Sequence, residues 1–266
     1  MLTNYHTHTN FCDGKNTVDE VISTAIQKGF TAIGFSGHGN TPYDDRYCIQ
    51  DTTGYINAVN SAKVKYKDKI QIYLGIEEDA FALVDRNKFD YIIGSCHYII
   101  KDGVYYSIDG SYEHFKISLK AFDNDVINYA ERYYSSFCDY ILKRKPDIIG
   151  HFDLITKFDE VETAYFSNDK RYVDLAEKYL RLALKSNAIF EVNTGAISRG
   201  YKKAPYPAEN LLHILKNEGA KIMLSSDCHD ANNLEFFFEQ TRDILKRIGF
   251  NKTVVLLDGK FTDISL

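Results

Sequence analysis

Along the chain, short apolar runs rich in β-branched and aromatic residues alternate with longer stretches in which apolar positions recur every three or four residues. The runs predict strands at 2–6, 31–36, 70–76, 90–96, 147–151, 188–193 and 221–226, with a further run at 253–257. The stretches between them predict helices from Val18 to Lys28 and near 54–67, 124–144, 169–186, 207–218 and 232–248. Thr17 and Glu20 have the spacing of a capping box at the start of the first helix, and Gly29 supplies its stop. This alternation is the pattern of repeated βα units around a parallel sheet. Residues 97–123 break the rhythm, with turn signals at Asp102-Gly103 and Asp109-Gly110, and read as an insertion carrying a hairpin or lid.

Periodicity does not choose between a closed barrel and an open doubly wound sheet, but the polar residues do. Both architectures collect functional groups where strands end and the next loops begin. Here His6 and His8, His38, Glu77 and Glu78, His97, His151, and Asp227 with His229 fall at or just beyond successive strand ends, all around the set. A crevice between two strands would not use so many, so the distribution predicts a closed α/β barrel with one central site.

A lone histidine beside an apolar run is usually a packing or surface residue, yet six of the eight histidines stand at these strand ends. His-x-His and Asp-x-His place two ligating groups on one side of an extended chain, and imidazoles mixed with carboxylates suit zinc, manganese or iron(II). Glu77 and Glu78 would point to opposite sides of their strand, so one of the two is expected to ligate. His213 lies in a helical pattern and His114 in the insertion, and neither is assigned to the metal site, although a lid would bring His114 to the pocket.

Composition sets the limits. The 266 residues are 44% hydrophobic and 26% charged, with a net charge of −5, the balance of a soluble globular protein without a basic footprint for nucleic acid. No repeat, low-complexity tract or linker divides them, so residues 1–266 are expected to form one domain. No run reaches the ~18 apolar residues of a membrane span and no leader-like segment opens the chain, which predicts a cytoplasmic protein. The five cysteines lack C-x-x-C spacing and read as reduced thiols, with Cys96 and Cys228 turned away from whatever their neighbours face.

The order His-x-His, Ser-Gly-His, Gly-Ile-Glu, Cys-His, Gly-His and Ser-Asp-x-His over residues 6 to 229 resembles the motifs of the PHP (polymerase and histidinol phosphatase) family. Within it, residues 150–158 and 191–200, followed by Tyr206-Pro207, are similar to the monofunctional histidinol-phosphate phosphatases. The resemblance implies a distorted (β/α)7 barrel of the TIM type with three divalent metal ions, of zinc, manganese or iron, at the C-terminal ends of the strands. Carried over by motif, His6, His8, Glu77 and Asp227 would hold one ion. His97 and His151 would hold a second with Glu77. His38 and His229 would hold the third with Asp13, which stands where many relatives have a histidine. The implied activity is hydrolysis of the phosphate monoester of L-histidinol phosphate, a step of histidine biosynthesis, by a metal-bridging hydroxide.

The charges fit such a substrate. Three divalent ions against Asp13, Glu77 and Asp227 leave about +3, lowered to about +2 by a hydroxide, opposite a monoester dianion. Arg199, after the sixth strand, is the expected phosphate contact, with Lys157 a second. Asp227 and His229 are the candidates for stabilising the departing alkoxide. Tyr43, with Asp44 and Asp45, is a candidate for the ammonium and imidazole ends, while Lys202 and Lys203 read as solvated charges.

Three other readings compete. A PHP-type phosphoesterase acting on nucleotides would keep the fold and change the substrate. An amidohydrolase barrel also opens with His-x-His but commonly carries a bridging lysine at its fourth strand end, where this chain has Ser95-Cys96-His97. A scaffold that had lost its chemistry would have lost ligands, and every expected position here holds a competent one.

Overall fold

The computed structural model describes residues 1–266. The chain runs through β1 (Thr3–Asn4), α1 (Val18–Gln27), β2 (Ala32–Phe35), α2 (Thr52–Lys65), β3 (Gln71–Asp79) and β4 (Tyr91–Ser95). The segment after β4 contains β5 (Tyr98–Lys101), β6 (Val104–Ser107) and α3 (Tyr112–Ala121). Then come α4 (Val126–Arg144), β7 (Ile148–Ile149), α5 (Lys170–Ala183), β8 (Ile189–Asn193), α6 (Gly195–Ser198), α7 (Glu209–Asn217) and β9 (Ile222–Ser225). The chain ends with α8 (Phe238–Ile248), β10 (Lys252–Leu257) and β11 (Lys260–Ser265).

The first helix shows how local chemistry sets these boundaries. Thr17 Oγ1 accepts the Glu20 N–H while Glu20 Oε2 accepts the Thr17 N–H, closing the capping box. Val18, Val21, Ile22 and Ala25 form its buried face at helical spacing. The last predicted helix is shorter than the sequence implies: residues 231–233 form a 3₁₀ turn, and the α-helix starts only at Phe238, after Phe237 in the left-handed region.

Seven parallel strands pair in the order β1-β2-β3-β4-β7-β8-β9. The ring closes just beyond the short first and last strands, where His8 N–H donates to Cys228 O (2.8 Å) and Cys228 N–H to His6 O (3.0 Å). This is a seven-stranded, nearly closed barrel of the TIM type. Tyr91 fills its lumen. A Cβ at Gly75 would lie 2.2 Å from the Tyr91 ring, so that strand position has room only for glycine.

The run at 253–257 is a strand, but not a barrel strand. As β10 it pairs antiparallel with β11 in a hairpin that covers the N-terminal mouth. Val254, Val255 and Leu256 pack there with Tyr5, Tyr73, Tyr91 and Met223, and Tyr5 Oη–H donates to Leu256 O (2.7 Å). One mouth is thus plugged with apolar side chains and the other is left for chemistry. No helix is long and apolar enough to cross a membrane.

Residues 98–107 form an antiparallel hairpin in which Lys101 faces Val104 across Asp102 and Gly103, both at positive φ, the conformation that Asp-Gly favours. Helix α3 fixes the hairpin in place. Its Phe115 is fully buried against Tyr129 of α4 and against Phe158 and Tyr165 of the loop after β7, so this segment is anchored over the C-terminal mouth.

Candidate metal centre

All nine predicted ligands converge at the open mouth, each delivered by the end of a strand or the loop after it. β1 leads into His6 and His8, with Asp13 from the next loop; β2 leads to His38, β4 to His97, β7 to His151, and β9 to Asp227 and His229. Glu77, from β3, is at the centre. Its Oε2 is 2.8 Å from His38 Nδ1, 3.2 Å from His6 Nε2 and 3.5 Å from His8 Nε2. Its Oε1 is 3.0 Å from His151 Nε2 and 3.3 Å from His97 Nε2. Asp227 Oδ1 is 3.2 Å from His8 Nε2 and 3.7 Å from His6 Nε2.

Asp13 completes a separate group. Its carboxylate is 3.3 Å from His229 Nε2, 3.6 Å from His8 Nδ1 and 3.7 Å from His38 Nε2. The Lys15 N–H to His229 O hydrogen bond (2.9 Å) ties this loop to the β9 loop. Ligand atoms fall into overlapping clusters: His6, His8 and Asp227; His6, Glu77 and His151; His38, Glu77 and His97; and Asp13, His8, His38 and His229. Overlap of this kind is what a multinuclear metal site requires.

The donor set fits metal ions on a further count. His6 Nε2, His8 Nε2 and Glu77 Oε2 are buried without any hydrogen-bond partner, an expensive arrangement for polar atoms unless a cation satisfies them. The ring orientations agree. His6 Nδ1 lies 2.6 Å from Glu191 Oε1, an acceptor, so Nδ1 carries a proton and Nε2, toward Glu77 and Asp227, is the atom left to a metal ion. His229 Nδ1 lies between Asp227 O (3.0 Å) and Arg199 Nη1 (3.2 Å), which leaves Nε2 toward Asp13.

Electrostatics reflect this crowding. Burial would raise the Glu77 and Asp227 carboxyls, but His38 and His6 around the first, and Arg199 and His6 around the second, hold both well below the carboxylate range. Burial, helped by His229 and His38, pushes His8 down to about 3. Asp227 also sits at φ +48°, a strained conformation for a non-glycine residue, costing on the order of 1 kcal/mol. The neighbouring loop allows it only because residue 195 is glycine: a Cβ there would be 2.9 Å from the Asp227 carboxylate.

Over the ligands lies a cavity of about 460 Å³. Arg199 lines it, donating through Nη2 to Asp227 Oδ2 (2.9 Å) and through Nη1 to Asp227 O (3.1 Å). Lys157 lines it too, but Nζ donates to Asp109 O (2.6 Å) of the insertion, and burial lowers its pKa despite Asp109. His114 reaches the cavity, as do Asp44, Arg46, Tyr47 and Tyr98. His213 is on the exposed face of α7, paired at most with Glu209.

Two expectations need correction. Tyr43 does not line this cavity; its hydroxyl is turned to Asp79 Oδ1 (2.5 Å), and Tyr47 takes the lining position edge-on to His38. Lys202 is not a solvated charge. Its side chain is 8% exposed, with Nζ 3.3 Å from Thr156 Oγ1 and over the Tyr206 ring, and only Lys203 faces solvent.

Glu78 points away from the lumen, gripped by Arg144 through two 2.7 Å bonds and by the Tyr140 hydroxyl. Cys96 and Cys228 are buried and bond backbone carbonyls rather than the site. The residues that sequence reasoning missed are carboxylates supporting the histidines, Glu191 behind His6 and Asp79 behind His97. The available signal was a charged residue inside an apolar run, as in Ile-Phe-Glu-Val.

The chain is similar to several known proteins along most of its length. The "Probable histidinol-phosphatase" of Schizosaccharomyces pombe is 28% identical over 97% of this chain and 90% of its own length. The histidinol-phosphatase of Bacillus subtilis is 24% identical over 88% and 96%. The crystal structure of histidinol phosphate phosphatase from Lactococcus lactis, complexed with zinc, L-histidinol and phosphate, superposes with a TM-score of 0.74 at 20% identity, covering 98% of each chain. Residues 4–195 match the PHP domain, a span that runs from the end of β1 through β8 and holds seven of the nine converging side chains, and the chain therefore belongs to the PHP family.

Proposed function

We propose that this chain is a metal-dependent phosphatase that hydrolyses the phosphate monoester of L-histidinol phosphate to L-histidinol and phosphate. The observation that carries the reading is the floor of the cavity: Glu77 within 3.5 Å of five imidazoles, with three buried ligand atoms lacking any partner, beneath the guanidinium of Arg199. The histidinol-phosphatase relatives support the substrate, since the Lactococcus lactis enzyme was solved with both products and zinc. The cavity volume suits a small molecule rather than a polymer.

Three divalent ions, of zinc, manganese or iron, would be held by His6, His8, Glu77 and Asp227; by Glu77 again with His97 and His151; and by Asp13, His38 and His229. Such ions supply a low pKa to bound water and draw charge from phosphoryl oxygens. The chain's own groups do the rest. Arg199 stays protonated, because Asp227 more than offsets its burial, and its fork matches two phosphate oxygens. Lys157 adds a second cation on the wall beside Asp109. Asp227 and His229 stand next to Arg199, whose N–H groups are the chain's own donors for the departing alkoxide. Asp44, held down to about 2 chiefly by Arg46, is a fixed negative charge for the ammonium end.

The test is phosphate release from L-histidinol phosphate by protein stripped with a chelator and then reloaded with zinc, manganese or iron(II). Activity lost on stripping, regained on reloading and reduced at least 100-fold by Glu77→Gln is expected. Full turnover by stripped protein, or none with any metal, would refute the proposal.

A further inference from the structure

Asp79 ends β3 two residues beyond Glu77, on the same side of the strand, and is 3% exposed. Both of its oxygens are committed. Oδ2 accepts the His97 backbone N–H (3.0 Å) and lies 3.2 Å from His97 Nδ1, while Oδ1 accepts the Phe81 N–H (2.9 Å) and the Tyr43 hydroxyl. Because the carboxylate only accepts, Nδ1 of His97 carries a proton, and Nε2, 3.3 Å from Glu77 Oε1, is the atom left to a metal ion.

Tyr43 extends this line outward. Its ring stacks on Tyr105 of β6 with centroids 4.1 Å apart and planes 7° from parallel, and it meets Tyr98 of β5 edge-on at 5.0 Å. The contrast with Glu191 is informative. That carboxylate bonds His6, Ser225, Asn193 and the backbone of His151, all at barrel strands or their ends, so it answers only to the barrel. Asp79 instead receives a hydroxyl from the loop between β2 and α2, and that residue is clamped by the hairpin.

We propose that Asp79 and Tyr43 are positioning residues of the metal centre: Asp79 fixes the tautomer and direction of His97, and Tyr43 couples that histidine to the β5–β6 hairpin. Carboxylates placed behind ligating histidines raise ligand basicity and hold the ring, and their loss typically weakens metal binding about 10–100-fold. This inference rests on the site being a metal centre.

The test measures Zn²⁺ affinity and stoichiometry of the full chain by competition with a chromophoric chelator, for wild type, Asp79→Asn and Tyr43→Phe, with thermal melting of the metal-free proteins alongside. Asp79→Asn is expected to weaken one zinc about 10–100-fold while the others bind as in wild type. Tyr43→Phe keeps the stacked ring and removes only the hydroxyl, and a smaller loss at the same zinc is expected. Unchanged zinc affinity with a lowered melting temperature would make both residues merely structural and overturn the proposal. If Asp79→Asn does not fold, Tyr43→Phe decides alone on the same criterion. A wild-type chain that takes up no zinc would overturn this proposal together with the metal reading, whereas wild-type uptake with unaffected variants overturns only this one.

Discussion

Glu191 Oε1 lies 2.6 Å from Nδ1 of His6, and both residues are almost wholly buried. The carboxylate accepts four bonds in all: His6 and Ser225 on Oε1, and His151 N–H (2.8 Å) and Asn193 Nδ2 (2.9 Å) on Oε2. A glutamine has one acceptor oxygen, so its NH₂ would have to face two donors. Glu191→Gln is therefore expected to cost about 1–3 kcal/mol in the metal-free protein and to weaken the zinc at His6 roughly 10-fold or more. Urea unfolding and chelator competition measure the two effects separately.

The Glu78 and Arg144 pair predicts the opposite separation. It lies on the outer side of β3, against α4, with Glu78 fully buried and Arg144 20% exposed. Arg144→Ala would strand a buried charge and cost about 3 kcal/mol, while zinc stoichiometry and affinity stay at wild-type values. Loss of a zinc in that variant would show that the two faces of β3 are not independent.

Metal uptake should release protons. Burial alone would lower His6 and His97, but Glu191 and Glu77 around the first, and Glu77 and Asp79 around the second, hold both well above the usual 6.5; His38 is raised as well, chiefly by Glu77 and Asp13 against its burial. In the metal-free protein these three therefore hold a proton to higher pH than a free imidazole does, whereas His8 gives its proton up far lower. Zinc affinity is thus expected to rise with pH through the neutral range, with net proton release seen by calorimetry in buffers of different ionisation enthalpy. By the same linkage, the raised histidines stabilise the metal-free fold fully below about pH 6.5, and that contribution is lost as pH climbs through their raised values. A binding heat independent of buffer at pH 7 would contradict this.

Much of the site was legible because strand alternation and strand ends constrain where a side chain can go. His6 and His8 share a side, Glu77 and Glu78 do not, and each strand end delivers its group to one mouth. What alternation does not fix is loop conformation. Nothing in the spacing says that Tyr43 turns toward Asp79 while Tyr47, four residues on, takes the cavity wall. Lys202 and Lys203 look alike as a charge pair, and only the turn they occupy buries one of them. Glu191 and Asp79 were hidden because their partners, His6 and His97, are supplied from other strands. The strand at 252–257 was visible, but its place as a plug depends on contacts such as Tyr5 with Leu256, which only the folded chain brings together.

The central claim is that a metal-loaded PHP barrel in this chain acts on a small amino-alcohol phosphate. The most direct measurement is kcat/KM for L-histidinol phosphate beside a nucleoside monophosphate and a phosphodiester, on one preparation of known metal content. At least a 100-fold preference for L-histidinol phosphate is predicted, and equal or better turnover of the nucleotide or the diester would contradict it.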